Sequence, residues 1–197
     1  MSDAEILLYG SPESGHACKA ALALALSGAP HRTVFVDINL PRNERQPEFQ
    51  AVAPLGEVPV MVMDGSAFFQ SGAILMALAD RFEALSHDLQ KGRSLLMWEA
   101  NRIGLCLPQL KGGGLKPDVV DWLTKRFEID RDNFDRLLGN GPFFHGDKPG
   151  IGDCAIWGYV QWVEEAGMVP GAAMSRWIDT MRALPQMRRP EGFFPKP

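Results

Sequence analysis

Four hydroxyls and one thiol stand at positions that matter chemically: Tyr9, Ser11, Ser14 and Cys18 near the start of the chain, and Ser71 further on. The turn Ser11-Pro12-Glu13-Ser14-Gly15 joins an apolar run to an Ala/Leu-rich segment. Ser14 falls where an N-cap side chain accepts a main-chain N–H. A hydroxyl at this spot faces the positive end of a helix dipole, which favours a bound anion. Cys18 lies one helical turn later, where a thiol can be acidified. Its Ala-rich, core-facing surroundings read instead as those of a small buried hydrophobe. Tyr9 reads as an aromatic at the end of a core strand, and Ser11 as a turn residue before Pro12. Ser71 follows Gln70 and opens a second helix, whose first N–H groups are free to hold an anion.

Other chemistries find no footing. His16, His31, His87 and His145 are scattered without ligand spacing, so no metal site is expected. There is no phosphate loop and no Ser/His/Asp order. Cys18, Cys106 and Cys154 are far apart and odd in number, which excludes a disulfide framework and a CxxC motif. A reducing, cytoplasmic setting is expected. The formal charge is −4, against the basic excess of a nucleic-acid binder. The longest apolar run is the seven residues from Ala20 to Leu26, where a membrane span needs about 20. The acidic start of the chain lacks the basic and apolar regions of a signal peptide.

The elements that position these residues follow from the pattern. Residues 5–9 form a short apolar run ended by Gly-Ser-Pro, a buried strand. A helix follows from Ser14 to Leu26, with Gly28 as its stop. Residues 33–38 make a second strand, and 41–54 a polar, Pro-rich loop around a short helix. Residues 58–63 make a third strand, Asp64-Gly65 a hairpin turn, and 67–70 a fourth strand. Ser71 then caps a helix to about Phe82. The order is β-α-β-α-β-β-α, an α/β domain with an early parallel crossover and an antiparallel edge. Pro59 inside the third strand removes a ladder donor. A cis Val58–Pro59 bond would accommodate it and turn the Val58 backbone toward a ligand.

The remainder reads as helix after helix: 93–110, a break at 112–114, then 119–138, 153–166 and 174–183. Residues 1–81 carry net −4 and residues 82–197 net 0. The expected division is 1–82 as the α/β domain, 83–92 as linker and 93–197 as an all-helical domain. In the tail, Arg188, Arg189, Lys196 and Phe193-Phe194 have no assigned place.

The run Leu55-Gly56-Glu57-Val58-Pro59-Val60, then Asp64-Gly65, then Gln70-Ser71-Gly72, resembles the glutathione-binding half of cytosolic glutathione transferases. Gly146 to Asp153 resembles the helix-capping motif of that family's C-terminal domain. The resemblance covers nearly the whole chain and implies a thioredoxin-like N-terminal domain followed by an all-α domain. It implies glutathione as co-substrate, a hydrophobic electrophile as its partner, a homodimer, and a detoxifying transferase. Isomerase, peroxidase or dehalogenase chemistry, or a non-catalytic partner-binding role, are the alternatives. Ser14 is then the hydroxyl that stabilises the thiolate, with Tyr9 and Ser11 as rivals. Glu57, Val58, Pro59, Gln70 and Ser71 would contact glutathione: Val58 through its main chain, Gln70 and Ser71 at the γ-glutamyl end. Ser11, Met97, Asn101 and Arg102 would line the second-substrate pocket. Two residues depart from the pattern. Glu57 puts a negative charge near the glycine carboxylate of glutathione, where Arg42 or Arg45 would have to compensate, and Gly150 replaces the usual Ser/Thr cap, leaving Asp153 to serve that helix start.

Overall fold

The computed structural model describes residues 6–196. Glu5, assigned to the first strand from sequence, lies outside them. The chain forms two compact units, one running up to Ser86 together with the stretch from Gln186 onward, the other His87–Pro185.

In the first unit the order is β1 (Ile6–Gly10), α1 (Gly15–Ser27), β2 (His31–Phe35), α2 (Pro47–Val52), β3 (Val60–Met63), β4 (Ser66–Phe69) and α3 (Ser71–Arg81). This is a thioredoxin-like α/β arrangement. The sheet runs β2-β1-β3-β4, with β1 parallel to β2 and antiparallel to β3, and β3 antiparallel to β4. Alternation divides its two faces. Tyr9 and Val60 pair on one face and pack with Val36, Phe49 and Ala53. Leu8 and Met61 pair on the other and are fully buried. Asp64 and Gly65 both have positive φ, 51° and 74°, as a two-residue type I′ hairpin requires.

β1 runs one residue further than expected, to Gly10; the ends of the other three strands differ for local reasons. β2 stops at Phe35 because the Asp37 carboxylate accepts the Asn39 N–H at 3.0 Å and turns the chain. The ladder of β3 begins at Val60 because Pro59 has no N–H to give it. β4 ends at Phe69 because Gln70 leaves the extended region, at φ 68° and ψ 120°.

The tail belongs to this unit. A short helix, α9 (Pro190–Phe193), packs against α1, and Phe193 and Phe194 are buried. The Phe194 ring covers Gly10 so closely that a Cβ there would lie 2.4 Å from it. Gly10 is therefore fixed by space rather than by backbone angle.

The second unit is helical: α4 (Leu89–Asn101), α5 (Ile103–Gly112), α6 (Pro117–Leu138), α7 (Ile151–Val160) and α8 (Ala172–Arg182). The single helix expected over 93–110 is two helices. Arg102, at φ −127° and ψ −94°, breaks it, its side chain paired with Asp130 on α6 at 2.9 Å. Gly104, two residues past that break, stands where an added Cβ would lie 2.9 Å from the Glu99 carbonyl oxygen. The helix expected over 153–166 ends at Val160, and the chain then turns through Gly167 at φ 74°. Every residue of α7 is buried. The Asp153 carboxylate at its start accepts from Gly150 N at 3.0 Å, Phe144 N at 3.0 Å and Trp177 Nε1 at 2.9 Å. Gly150 has no side chain to cap with, so Asp153 ties that end together with His145, whose Nε2 accepts from Gly152 N at 3.2 Å, beside a cluster of Phe134, Phe144, Trp157 and Trp177.

Candidate functional site

Three segments of the first unit that are remote in sequence meet in one open cleft of about 420 Å³. They are the first turn of α1, represented by His16, the loop Pro54 to Val60, and the junction Phe69-Gln70-Ser71.

The Val58–Pro59 bond is cis. Val58 lies ahead of the β3 ladder, so its main chain has no cross-strand partner in the sheet. Extended backbone at such an edge suits an added peptide strand. Across the cleft, Gln70 occupies the left-handed region, a conformation that costs a non-glycine residue on the order of 1–3 kcal/mol. The strain sits where α3 begins and where Ser71, mostly buried, offers a hydroxyl and an N–H.

The predicted hydroxyls fall into different settings. Ser14 is the N-cap of α1 and its Oγ accepts from Ala17 N at 3.2 Å. Accepting that bond leaves its own proton to donate. Ser14 is not in the cleft wall itself; it caps the turn to which His16 belongs. Ser11 is 1% exposed, and its Oγ has no hydrogen-bond partner among the described residues. Tyr9 is packed against Phe49, ring centroids 5.7 Å apart, in the core. Cys18 is buried, its Sγ 3.9 Å from the Pro12 carbonyl. Burial pushes the thiols of Cys106 and Cys154 up, and Asp130 and Asp153 respectively add to it.

Glu57 is exposed in the cleft wall and pairs with Arg42 at 2.7 Å. Arg45 is turned to main chain, donating to the carbonyls of Ile38, Leu40 and Gly56. Of the two arginines weighed as compensation for Glu57, Arg42 is thus the one that meets it. Met97, Asn101 and Arg102 belong to the helical unit. Met97 is 54% exposed, Asn101 donates to the Met97 carbonyl at 2.8 Å, and Arg102 is held by Asp130.

Sequence reading passed over His16, which lines the cleft, and over its neighbour Lys19. His16 Nδ1 lies 3.1 Å from Ser71 Oγ and 3.2 Å from the Nζ of Lys19, a lysine that is 1% exposed. The imidazole is exposed overall, but its inner edge is enclosed. That enclosure first, and then the Lys19 ammonium, lower its pKa to about 4. His16 and Lys19 sit three apart on one helix face, a spacing that would have linked them. Nothing local joined His16 to Ser71, 55 residues away.

Residues 14–81 match the family model for the glutathione S-transferase N-terminal domain. The chain is 27% identical to the disulfide-bond oxidoreductase YfcG of Escherichia coli K12, over 90% of each protein. It is 31% identical to the maleylacetoacetate isomerase of Rhizobium meliloti, over 77% of this chain and 78% of that protein. The chain belongs to the glutathione S-transferase family. Among solved structures, a glutathione S-transferase from Xanthobacter autotrophicus matches 93% of the chain at 25% identity and TM-score 0.78. One from Rhodopseudomonas palustris, described as a possible member, matches 94% at 25% identity and TM-score 0.82. The glutathione transferase architecture expected from the sequence is thus the one found. The cleft lies within the matched N-terminal segment. Among the described residues no group of three or more His, Cys, Asp or Glu is placed to hold a metal ion, and no helix is long and apolar enough to cross a membrane.

Proposed function

We propose that this family member is a glutathione-dependent transferase that joins the glutathione thiolate to a hydrophobic electrophile. The observation that carries the reading is the single cleft in which Val58, Gln70 and Ser71 converge beside the first turn of α1. Ser71 and the start of α3 take the γ-glutamyl carboxylate. The main chain of Val58 pairs with the cysteinyl unit, and Arg42 draws Glu57 away from the glycine carboxylate. Solved structures of this fold include Ure2p with glutathione, at 19% identity and TM-score 0.82, which supports the reading at the level of fold.

Ser14 is assigned to the thiol. A free thiol with a pKa near 8.5 is only a few per cent ionised at pH 7. The Ser14 hydroxyl, its lone pair engaged by Ala17 N, keeps its proton and donates a hydrogen bond to the sulfur at the positive end of α1, which favours release of the thiol proton to water. The thiolate then forms a carbon–sulfur bond to the electrophile, and the leaving group departs with its electron pair. Tyr9 serves the core, and Ser11, enclosed in the turn, supports its shape. The exposed Met97 is assigned to apolar contact with the second substrate. Asn101 and Arg102, both engaged within their own unit, take a lesser part. The protein is read as a cytoplasmic homodimer, which light scattering checks.

A second reading is favoured by the two relatives named above, an oxidoreductase and an isomerase. The thiolate is the same, and the second substrate is a disulfide or an unsaturated acid. Parallel assays with glutathione and an activated aryl chloride, a mixed disulfide, and a cis-enedioate separate the two. Conjugation that falls about tenfold or more in Ser14→Ala and persists in Tyr9→Phe supports transfer. Turnover confined to the disulfide or the enedioate sinks it in favour of the second reading.

A further inference from the structure

We propose that the tail is a positioning element for Ser14: Phe194, with Lys196 beside it, holds the turn that carries the thiol-directed hydroxyl, from outside the cleft. The inference rests on the role given to Ser14 above and adds to it a segment nearly 180 residues away in the chain.

The inner contact is the stronger one. Phe194 is fully buried, and the tip of its ring fills the space over Gly10, the last residue of β1. A Cβ built on Gly10 would also lie 2.9 Å from the Ala17 Cβ, so the ring, the strand end and the first turn of α1 close on one point. Ala17 N is the donor that engages Ser14 Oγ, at 3.2 Å. With that lone pair taken, the direction left to the hydroxyl proton is restricted. Ser14 N in turn donates to the Ser11 carbonyl at 3.1 Å and closes the turn. A movement of α1 against β1 therefore displaces the donor that orients the hydroxyl. Close-packed interiors transmit such a movement rather than absorb it.

The tail also reaches the outer side of the turn. Glu13, next to Ser14, accepts from Lys196 Nζ at 3.5 Å on one carboxylate oxygen and from Asn39 Nδ2 at 3.3 Å on the other. The Lys196 ammonium stands 5.6 Å from the ring centroid of Phe35, at the end of β2. These contacts are exposed, and an exposed ion pair contributes little. Phe194 is therefore the principal positioning residue. The turn lacks one support of its own: Ser11 Oγ, buried within it, has no hydrogen-bond partner among the described residues.

The test is ultraviolet titration of the thiol of glutathione bound to the full chain, with the affinity for S-methylglutathione measured alongside. In the wild type the bound thiol should titrate below its free value of about 8.5, and Ser14→Ala should return it toward that value. Phe194→Ala should cost roughly tenfold in thiolate at neutral pH, and Phe194→Leu less. Affinity for S-methylglutathione, which has no thiol to ionise, should change less than about twofold in both. Adding Phe194→Ala to Ser14→Ala should cost nothing further, since the ring acts through the hydroxyl. Phe127→Ala, an equal truncation of a buried ring in the helical unit, should leave the bound thiol unchanged. An unshifted thiol in Phe194→Ala, an equal shift in Phe127→Ala, or a full further loss in the double variant overturns the proposal and leaves the glutathione site standing. A wild type that binds glutathione without acidifying its thiol overturns the role of Ser14 and this inference together. A wild type that does not bind it overturns the underlying reading. Should Phe194→Ala lose its cooperative melting, Phe194→Leu decides.

Discussion

Arg42 donates from Nη2 to Glu57 Oε1 at 2.7 Å, with its stem laid over Gly56, whose added Cβ would meet Arg42 Cδ at 3.1 Å. Glu57 is part of the cleft wall, and an anionic peptide entering beside it meets a neutralised carboxylate. Both partners are more than half exposed, so the pair contributes little to stability, about 1 kcal/mol or less. Its effect falls on the ligand. Arg42→Ala should weaken glutathione by about two- to fivefold at low salt, and Glu57→Gln should tighten it by a similar factor. Both changes should fade at roughly 1 M salt, where the screening length is about 3 Å. Affinities measured at two ionic strengths check this. A salt-independent effect contradicts it.

Gln70 is a non-glycine residue held at φ 68° at the start of α3. Glycine adopts that angle without penalty. Gln70→Gly should therefore raise stability by about 1 kcal/mol while weakening glutathione, because the strained residue also presents its side chain to the cleft. Denaturant unfolding and titration on the same preparation check the opposite signs. A loss of stability would show that the side chain supports the fold instead.

The His16 shift predicts a pH dependence. Its folded pKa, about 4, lies below the ordinary 6.5, first through enclosure and then through Lys19. Between those values the unfolded chain binds more protons than the folded one, so stability rises with pH. The contribution is full above about 6.5 and is lost as pH falls toward 4. Melting temperatures across that interval should fall less steeply on acidification in His16→Gln than in the wild type. Parallel curves contradict the prediction.

Asp153 satisfies three buried donors, Gly150 N, Phe144 N and Trp177 Nε1. Burial raises its pKa, and those three bonds oppose the rise. Asp153→Ala orphans donors that each cost about 1–3 kcal/mol, so roughly 3 kcal/mol or more of stability should disappear. Asp153→Asn, which keeps an acceptor oxygen, should lose less. Chemical denaturation checks the order of the two variants.

Much of this was legible in the chain. Asp64-Gly65 announced its hairpin because a type I′ turn demands those residue types. Ser14 announced the start of α1, and Gly28 its end, at φ 68°. Val58, Pro59, Gln70 and Ser71 were singled out by the resemblance to glutathione transferases, and they line one cleft. What escaped depends on contacts that local pattern does not carry. The break at Arg102 is tied to Asp130, 28 residues on. His16 reads as a lone histidine until Ser71 is folded against it. Lys19 reads as a surface lysine until α1 is buried around it. The tail gave no sign of its place because the space above Gly10 exists only once β1 and α1 have packed.

The most direct test of the central claim is a thermal-shift titration of the intact chain with reduced glutathione, with S-hexylglutathione alongside. The account predicts a saturable rise in Tm with both ligands, of the size that ligand excess over Kd dictates, and a diminished rise in Ser71→Ala. An unchanged Tm at millimolar concentrations of either ligand would contradict it.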